Sequence, residues 1–285
     1  MARSGGLPKA DEAGRLHHVS RRGFARSAGA GVAAGLTWMC LRRPAAADKL
    51  QEALEQVLDG RASTRSDRVW IELPERFDYG NTVPFAVTVD SPMSASDYVQ
   101  QVDVLAEGNP FAEVGTFHFS PESGRASVAT RIRLNQGVRE VLAVAERSDA
   151  SVAVARRSVR VAVSGCSSEA GVSGDYVMPT PKPRLKVPAP VARGAIIEIK
   201  TMISHRMETG LDTDTEGHPV PRRIINRMTC ARDGRLIFAA DLSPAIAANA
   251  YLTFCVVART TGSLAFTWHE DGGAVYRATH PLAVV

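Results

Sequence analysis

The sequence predicts an all-β protein, made of two immunoglobulin-like β-sandwich domains in tandem with one short helix ahead of them. Short apolar segments recur at roughly 8–12-residue spacing between turn residues, which is the pattern of a sandwich. One stretch rich in Gly, Ser and Pro, residues 164–184, interrupts the pattern. It leaves two halves, residues 48–163 and 185–285, each about the size of one such domain.

The predicted helix spans residues 48–59. Its apolar residues recur every three or four positions, as on one face of an amphipathic helix: Leu50, Ala53, Leu54, Val57 and Leu58. Gly60 follows as a stop signal, and residues 61–68 are polar and turn-like.

Strands are predicted wherever apolar residues alternate or cluster between turn signals. In the first half these segments are 69–73, 83–89, 99–106, 113–119, 126–134, 138–146 and 151–163. In the second half they are 195–203, 223–231, 236–240, 251–258, 264–268 and 274–279. Asp233-Gly234 is a typical hairpin turn between two of them.

Residues 1–47 have the three parts of a twin-arginine signal peptide. The pair Arg21-Arg22 precedes a short, weakly hydrophobic run, and the alanines ending at Ala47 form a cleavage site. We therefore expect export to the periplasm by the twin-arginine route, with cleavage near Ala47.

The basic residues concentrate in this leader. It holds eight of the 34 Lys and Arg and two of the 30 Asp and Glu, so the rest of the chain is weakly acidic. No dense basic run with interleaved aromatics remains, which argues against nucleic-acid binding. No run of 18 apolar residues exists, which argues against a membrane-spanning helix.

Cleavage removes Cys40 and leaves three cysteines in an oxidising compartment. Because three is odd, at least one thiol has no partner within the chain. Cys230 and Cys255 lie inside strand-like runs, where a disulfide between them and two separate buried thiols are both open interpretations.

Cys166 lies in a segment of different composition. Ser164 and Gly165 precede it, and Ser167 and Ser168 follow it, as in a narrow, mobile arm. We expect Cys166 to be exposed and to be the only readily alkylated thiol. An incidental surface cysteine and an intermolecular disulfide are the alternatives.

Five stretches of the first half form one set of motifs: Val-Pro at 83–84, Val-Asp-Ser-Pro-Met at 89–93, Glu-Gly-Asn-Pro at 107–110, Phe-His-Phe-Ser-Pro at 117–121 and Ala-Thr-Arg-Ile-Arg at 129–133. This set resembles SoxY, the cysteine-bearing subunit of the thiosulfate-oxidation carrier. The second half has Glu-Ile-Lys-Thr-Met-Ile-Ser-His at 198–205, Met-Glu-Thr-Gly at 207–210, Pro-Arg-Arg-Ile-Ile-Asn at 221–226 and Pro-Ala-Ile-Ala-Ala-Asn at 244–249. It resembles SoxZ, the partner subunit.

The resemblance implies a non-catalytic carrier without a cofactor of its own, in which the two sandwiches pack tightly against each other. The family attaches its cargo to a cysteine in a Gly-Gly-Cys-Gly-Gly tail, and Cys166, with Gly165 before it, is the counterpart here. The implied partners are a c-type cytochrome that loads the cargo and hydrolases that unload it. Fusions of this kind also resemble carriers associated with periplasmic quinoprotein dehydrogenases, so an accessory or scaffold module of such a system is the alternative function.

The histidines do not indicate a metal site. His118 and His205 have no companion ligands at metal-binding spacing, and we expect both to be structural. Phosphate-binding loops, nucleophile elbows and heme-attachment motifs are also absent from the sequence, which favours a carrier over an enzyme.

Overall fold

The computed structural model describes residues 46–166 and 180–285. Four residues named above lie outside this range: Arg21, Arg22, Ser167 and Ser168. The predicted signal peptide, apart from its last two residues, lies outside it as well. No helix in the described part is long and apolar enough to cross a membrane.

The helix α1 (Ala46–Leu58) covers one face of the first half, as predicted. Leu50, Ala53 and Leu54 are buried and pack with Leu105 and Leu142 in a small hydrophobic cluster. Asp59 and Gly60, which follow the helix directly, both have positive φ, and a glycine with positive φ is common just after a helix C-terminus.

Apart from one turn of 3-10 helix at Pro121–Ser123, the remaining elements are strands, and the predicted all-β fold class is confirmed. The first half forms β1 (Ser63–Arg65), β2 (Val69–Glu72), β3 (Arg76–Tyr79), β4 (Val83–Val89), β5 (Val99–Ala106), β6 (Glu113–Phe119), β7 (Ala126–Ile132), β8 (Gly137–Arg147) and β9 (Val152–Val163). The second half, with the end of the predicted linker, forms β10 (Pro183–Lys186), β11 (Ile196–Ile203), β12 (Ile225–Arg232), β13 (Arg235–Leu242), β14 (Tyr251–Val257), β15 (Gly262–Glu270) and β16 (Val275–Leu282).

Three of these strands were not predicted. β1 and β3 pair with β9 in parallel at the edge of a sheet, and most of their side chains are exposed. β10 begins in the last two residues of the predicted linker and pairs with β11 at the edge of the other sheet. Short edge strands bury neither face fully, so their sequences lack the apolar alternation that marks a strand.

The strands form two sheets, and both run through the two halves. The ten-stranded sheet has the order β1-β9-β8-β5-β6-β13-β12-β15-β16, with β3 also on β9. The six-stranded sheet has the order β10-β11-β14-β7-β4-β2. The tandem sandwiches are therefore joined edge to edge in both layers.

We call the two strand pairs that join the halves, β6–β13 and β7–β14, the seam. Five residue pairs connect β6 to β13, from Phe119 opposite Phe238 to Gly115 opposite Leu242. In the other sheet, Phe254 on β14 lies opposite Val128 on β7. The Phe238 ring stacks on Phe254 at 4.2 Å between centroids, so the same aromatic residues also link the two layers.

Polar contacts reinforce the seam beside β13. The carboxylate of Glu122 accepts hydrogen bonds from Arg232 and Arg259 of the second half. The hydroxyls of Ser120 and Ser123 both donate to the backbone oxygen of Ile237 at 3.0 Å. The halves therefore share backbone hydrogen bonds, an apolar core and ion pairs.

Candidate functional site

Cys166 lies at the end of a short segment that continues from β9, and this segment is docked on the protein surface. We call Ser164–Cys166 the docked arm. The backbone N–H of Gly165 donates to the oxygen of Leu134 at 3.0 Å, and the Ser164 hydroxyl donates to Asn135 Oδ1 at 2.6 Å. The arm thus lies across the loop that follows β7.

Two glycines allow the arm to approach the protein this closely. A Cβ atom added to Gly165 would lie 1.9 Å from the backbone N of Asn81 and 1.9 Å from the carbonyl C of Gly80. A Cβ atom on Gly80 would lie 2.1 Å from the backbone oxygen of Leu134. All three distances are far below van der Waals contact, so a side chain at either position would collide with backbone atoms in this arrangement.

The thiol has a defined hydrogen-bond partner. Cys166 Sγ donates to Asn109 Oδ1, 3.1 Å away. The Asn109 amide is fixed in this orientation because its Nδ2 donates to the Arg133 backbone oxygen at 2.8 Å and its Oδ1 also accepts from the Asn135 backbone N–H at 3.2 Å. The amide therefore presents an acceptor, not a donor, to the sulfur.

Both halves build the pocket around this sulfur. The first half contributes Asn109, Pro110 and Phe111, and the second half contributes Leu211, Pro244 and Ala245. These residues leave a pocket next to the thiol that is partly open to solvent.

Cys166 is consequently buried, with 8% of its surface exposed, and our expectation of an exposed thiol is wrong for this docked position. Burial is the dominant effect on ionisation and raises the pKa of the thiol to about 11, against opposing charges from Arg133 and Arg139. The Gly/Ser composition indicated freedom to move, but the same small residues also permit the close contact that buries the thiol.

Arg133, which lies in the first half, forms hydrogen bonds to the second half next to this pocket. Its buried guanidinium donates to the backbone oxygens of Met207 at 2.8 Å, Arg206 at 3.3 Å and Pro244 at 3.3 Å. The sequence analysis found Asn109 and Arg133 inside motifs but assigned them no role, and nothing in the sequence singled out Gly80. These roles depend on contacts between segments that are far apart in the chain.

Cys230 and Cys255 are free thiols in the structure, so it does not contain the disulfide that one interpretation allowed. Cys230 lies on β12 of the ten-stranded sheet and faces the core, where its pKa is raised to about 12 by burial. Cys255 lies on β14 of the six-stranded sheet, next to the inward-facing Phe254, so strand alternation turns it to the outer face. Cys230 therefore points into the core between the two sheets, whereas Cys255 points away from it.

The two histidines have local partners. His118 Nε2 lies 2.8 Å from Asp241 Oδ2 across the seam. His205 is buried, its Nδ1 accepts the Met207 backbone N–H at 2.9 Å, and its Nε2 lies 3.7 Å from Glu270 Oε1 without a hydrogen bond. Within residues 46–166 and 180–285, no three His, Cys, Asp or Glu side chains are grouped so that they could hold a metal ion.

Comparison with known proteins identifies the two halves separately. Residues 54–166 match the family described as Sulfur oxidation protein SoxY, and residues 185–281 match the family described as Sulphur oxidation protein SoxZ. The search of curated proteins gave no match.

Several solved structures share part of the fold. The chain is similar to the sulfur carrier protein SoxY from Chlorobium limicola f thiosulfatophilum, with 22% identity over 40% of this chain and 97% of that chain and a TM-score of 0.35. It is also similar to the superoxide reductase (neelaredoxin) from Ignicoccus hospitalis, with 21% identity over 33% of this chain and 79% of that chain and a TM-score of 0.30.

The two family matches follow each other in the order that the motifs predicted, and Cys166 is the last residue of the first match. Together with the two-sheet architecture that joins the matched segments, they support a carrier role in sulfur oxidation. This chain is a fused SoxY–SoxZ-like protein.

Proposed function

We propose that the protein is a non-catalytic periplasmic carrier that holds a sulfur-containing cargo covalently on Cys166 and presents it to partner enzymes, as in thiosulfate oxidation. One observation carries the proposal. The cysteine that ends the SoxY match lies on a three-residue arm that only a few hydrogen bonds and small contacts hold in its pocket. An arm of this kind can leave its pocket and enter another protein's active site.

The loading step is a two-electron oxidation. The Cys166 thiol and thiosulfate join through a new sulfur–sulfur bond, giving a cysteine S-thiosulfonate, and the thiol proton is released. Two electrons leave in this step, and a c-type cytochrome partner with heme iron is the acceptor by chemical class. Because the thiol is most nucleophilic as the thiolate, the docked position, which disfavours the thiolate, is a resting position and not the reactive one.

A cysteine replacement in the host tests this function. We expect Cys166→Ser to abolish thiosulfate-dependent oxidation. We also expect intact-mass spectrometry to detect sulfur adducts on the native protein isolated without reductant and none on the variant. Cys255→Ser is the matched control, because it removes a thiol from the outer face of a sheet and should leave adducts and oxidation unchanged. If Cys166→Ser supports full oxidation, the accessory role in a quinoprotein dehydrogenase system becomes the better hypothesis.

The periplasmic location rests on the leader and has its own test. Replacing Arg21 and Arg22 with Lys should leave the precursor in the cytoplasm, because the twin-arginine exporter recognises the arginine pair. Cell fractionation and immunoblotting measure this. Normal periplasmic accumulation of the double variant would contradict the assigned export route.

A further inference from the structure

The outer face of the six-stranded sheet faces solvent. The only α-helix in the described part of the chain, α1, packs on the ten-stranded sheet instead. Alternate residues of the six strands point into the core, so the residues between them point outward. The face measures about 24 Å across its six strands and about 23 Å along a seven-residue strand such as β7. This area suits a transient complex, in which each partner buries roughly 600 Å² or less.

Basic residues concentrate on the second-half side of this face. Strand alternation places Arg184 and Lys186 of β10 on it, with Lys182 directly before the strand, and all three are exposed. Lys186 lies opposite Lys200 on β11. Across the seam, Arg131 on β7 is exposed on the same face. Five cationic side chains therefore point to one side of the molecule, three of them along one sheet edge.

Most of these charges have no acidic partner. Glu198, which pairs with Lys200 at 3.0 Å, is the only acidic residue that β10, β11, β14 and β7 direct outward. Among the described residues, no carboxylate forms an ion pair with Arg184, Lys186 or Arg131. The chain after the leader is weakly acidic, so the cluster is a local excess of positive charge and not a result of overall composition.

Side chains typical of protein interfaces lie between the charges. Met202 on β11 lies opposite Tyr251 on β14, and both are half-buried. The Arg131 guanidinium lies over the Tyr251 ring, 5.3 Å from its centroid. Aromatic residues, Met and Arg are enriched in interfaces, whereas lysines suit their polar rim. We call these three residues and the basic residues of β10 and β11, with Lys182, the basic face.

The basic face lies next to the segment that holds Cys166. Arg131 precedes Leu134 by three residues, about 10 Å of extended chain, and the backbone oxygen of Leu134 accepts the N–H of Gly165. A protein seated on the basic face is therefore close enough to act on the cysteine. A flat lipid surface gains nothing from this proximity, which favours a protein as the occupant.

We propose that the basic face is the docking surface for an acidic protein partner that acts on Cys166. The inference rests on the proposed carrier function, because it assigns a surface chemistry to one of the carrier's partners. Complementary charge accelerates the encounter of two proteins and fixes their relative orientation, while Tyr251 and Met202 supply apolar contact once the partner is seated. Binding is then sensitive to ionic strength, since exposed charges are screened by salt.

Photo-crosslinking in the host tests this surface. The photoreactive residue p-benzoylphenylalanine replaces Met202, cells are irradiated, and the covalent product is identified by mass spectrometry. We expect one main adduct, with a protein of net negative charge. The double variant Arg184→Glu with Lys186→Glu should lower its yield by about tenfold or more, because like charges across an interface repel. The matched control is Arg235→Glu with Arg277→Glu, which reverses two exposed arginines of the second half on the other sheet and should leave the yield unchanged.

A second measurement does not depend on variants. Binding of the purified, captured protein to the unmodified chain should weaken as the salt concentration rises. The inference is overturned by the absence of an adduct, by equal yields in the two double variants, by a captured protein of net positive charge, or by binding that salt does not change. Vesicles of phosphatidylcholine with phosphatidylglycerol test the other occupant: cosedimentation that Arg184→Glu with Lys186→Glu abolishes, without any protein adduct, would assign the face to anionic lipid.

Failure of this inference can be told from failure of the proposed function. The crosslinking yield reports docking and needs no thiol chemistry, whereas oxidation by the Cys166→Ser variant reports the carrier role. If docking is found but Cys166→Ser supports full oxidation, only the proposed function is lost. If Cys166→Ser abolishes oxidation but the basic face captures no acidic protein, only the docking surface is lost.

Discussion

The seam holds the two halves together and the docked arm holds Cys166 against the protein, yet the two use different interactions. The seam uses two backbone ladders and fully buried aromatic rings, Phe238 and Phe254 among them. The arm uses a few hydrogen bonds and one glycine-on-glycine contact. Large apolar burial gives a permanent contact, whereas small residues with few bonds give a contact that can open while the fold persists.

The largest effect is expected at the seam. Phe238 is fully buried between Phe119, at 5.5 Å, and Phe254. Phe238→Ala should lower the free energy of unfolding by about 3–5 kcal/mol, because it leaves a cavity where the two halves and the two sheets meet. Chemical denaturation followed by circular dichroism measures the loss. Since the halves share strand pairs, we expect one transition; two separate transitions with only one shifted would show that the halves fold independently.

Gly165→Ala should affect only the arm. The added Cβ overlaps Asn81 and Gly80, so we expect the arm to undock and Cys166 to be alkylated up to about 100-fold faster at neutral pH, the ratio that corresponds to a pKa raised from 9.0 to about 11. The midpoint of unfolding should barely change. Ser164→Ala, which removes one hydrogen bond of an exposed side chain, is the control and should change the rate far less. An unchanged rate in Gly165→Ala would mean that the glycine contact does not hold the thiol.

The pH dependence of Cys166 alkylation gives a second measure of how firmly the arm is docked. Burial raises the pKa of Cys166, with Arg133 and Arg139 as the charged groups that oppose the shift, so docking favours the protonated thiol. Docking is therefore fully available below the ordinary pKa of 9.0 and is lost as the pH rises through about 11. The alkylation rate of the native protein should still increase between these values, whereas that of Gly165→Ala should level off near 9. Coincident profiles would contradict the link between docking and protonation.

The smallest effect is expected at the polar surface of the seam. His118 Nε2 lies 2.8 Å from Asp241 Oδ2 across it, but both side chains are partly exposed. His118→Ala should change the free energy of unfolding by less than about 1 kcal/mol, because solvent screens exposed pairs. A double-mutant cycle with Asp241→Ala isolates the pair. A coupling energy comparable to the loss in Phe238→Ala would show that polar contacts, and not aromatic burial, hold the halves together.

The sequence predicted those parts of the fold in which local pattern and structure coincide. The strands β4, β5 and β6 begin and end at the predicted residues, because their buried positions are visible in the residues themselves. Buried residues alternate along β4 and most of β6, and β5 is buried on both faces over its second half. β1 and β3 were missed because an exposed edge strand needs no such pattern. The strand pairing of the seam is a contact between distant segments and leaves no local signal.

The sequence singled out Cys166 but did not predict that its thiol is buried. Cys166 was found from its Gly/Ser surroundings and its family resemblance, and the same composition led us to expect an exposed thiol. Gly165 explains the error, because glycine provides both freedom in an unbound segment and the room for a close contact. The neighbour that decides between these outcomes is Gly80, which lies 85 positions earlier in the chain. No reading of the local sequence could have paired the two.

The continuity of both sheets through a single chain also bears on stoichiometry. In a carrier made of two separate subunits, the fraction that is assembled depends on concentration and on the dissociation constant. Here one half meets the other at an effective concentration set by the covalent connection, on the order of millimolar for a short tether, and dilution cannot lower it. Every Cys166 therefore has its own copy of Leu211, Pro244 and Ala245 to complete its pocket, however scarce the protein is in its compartment.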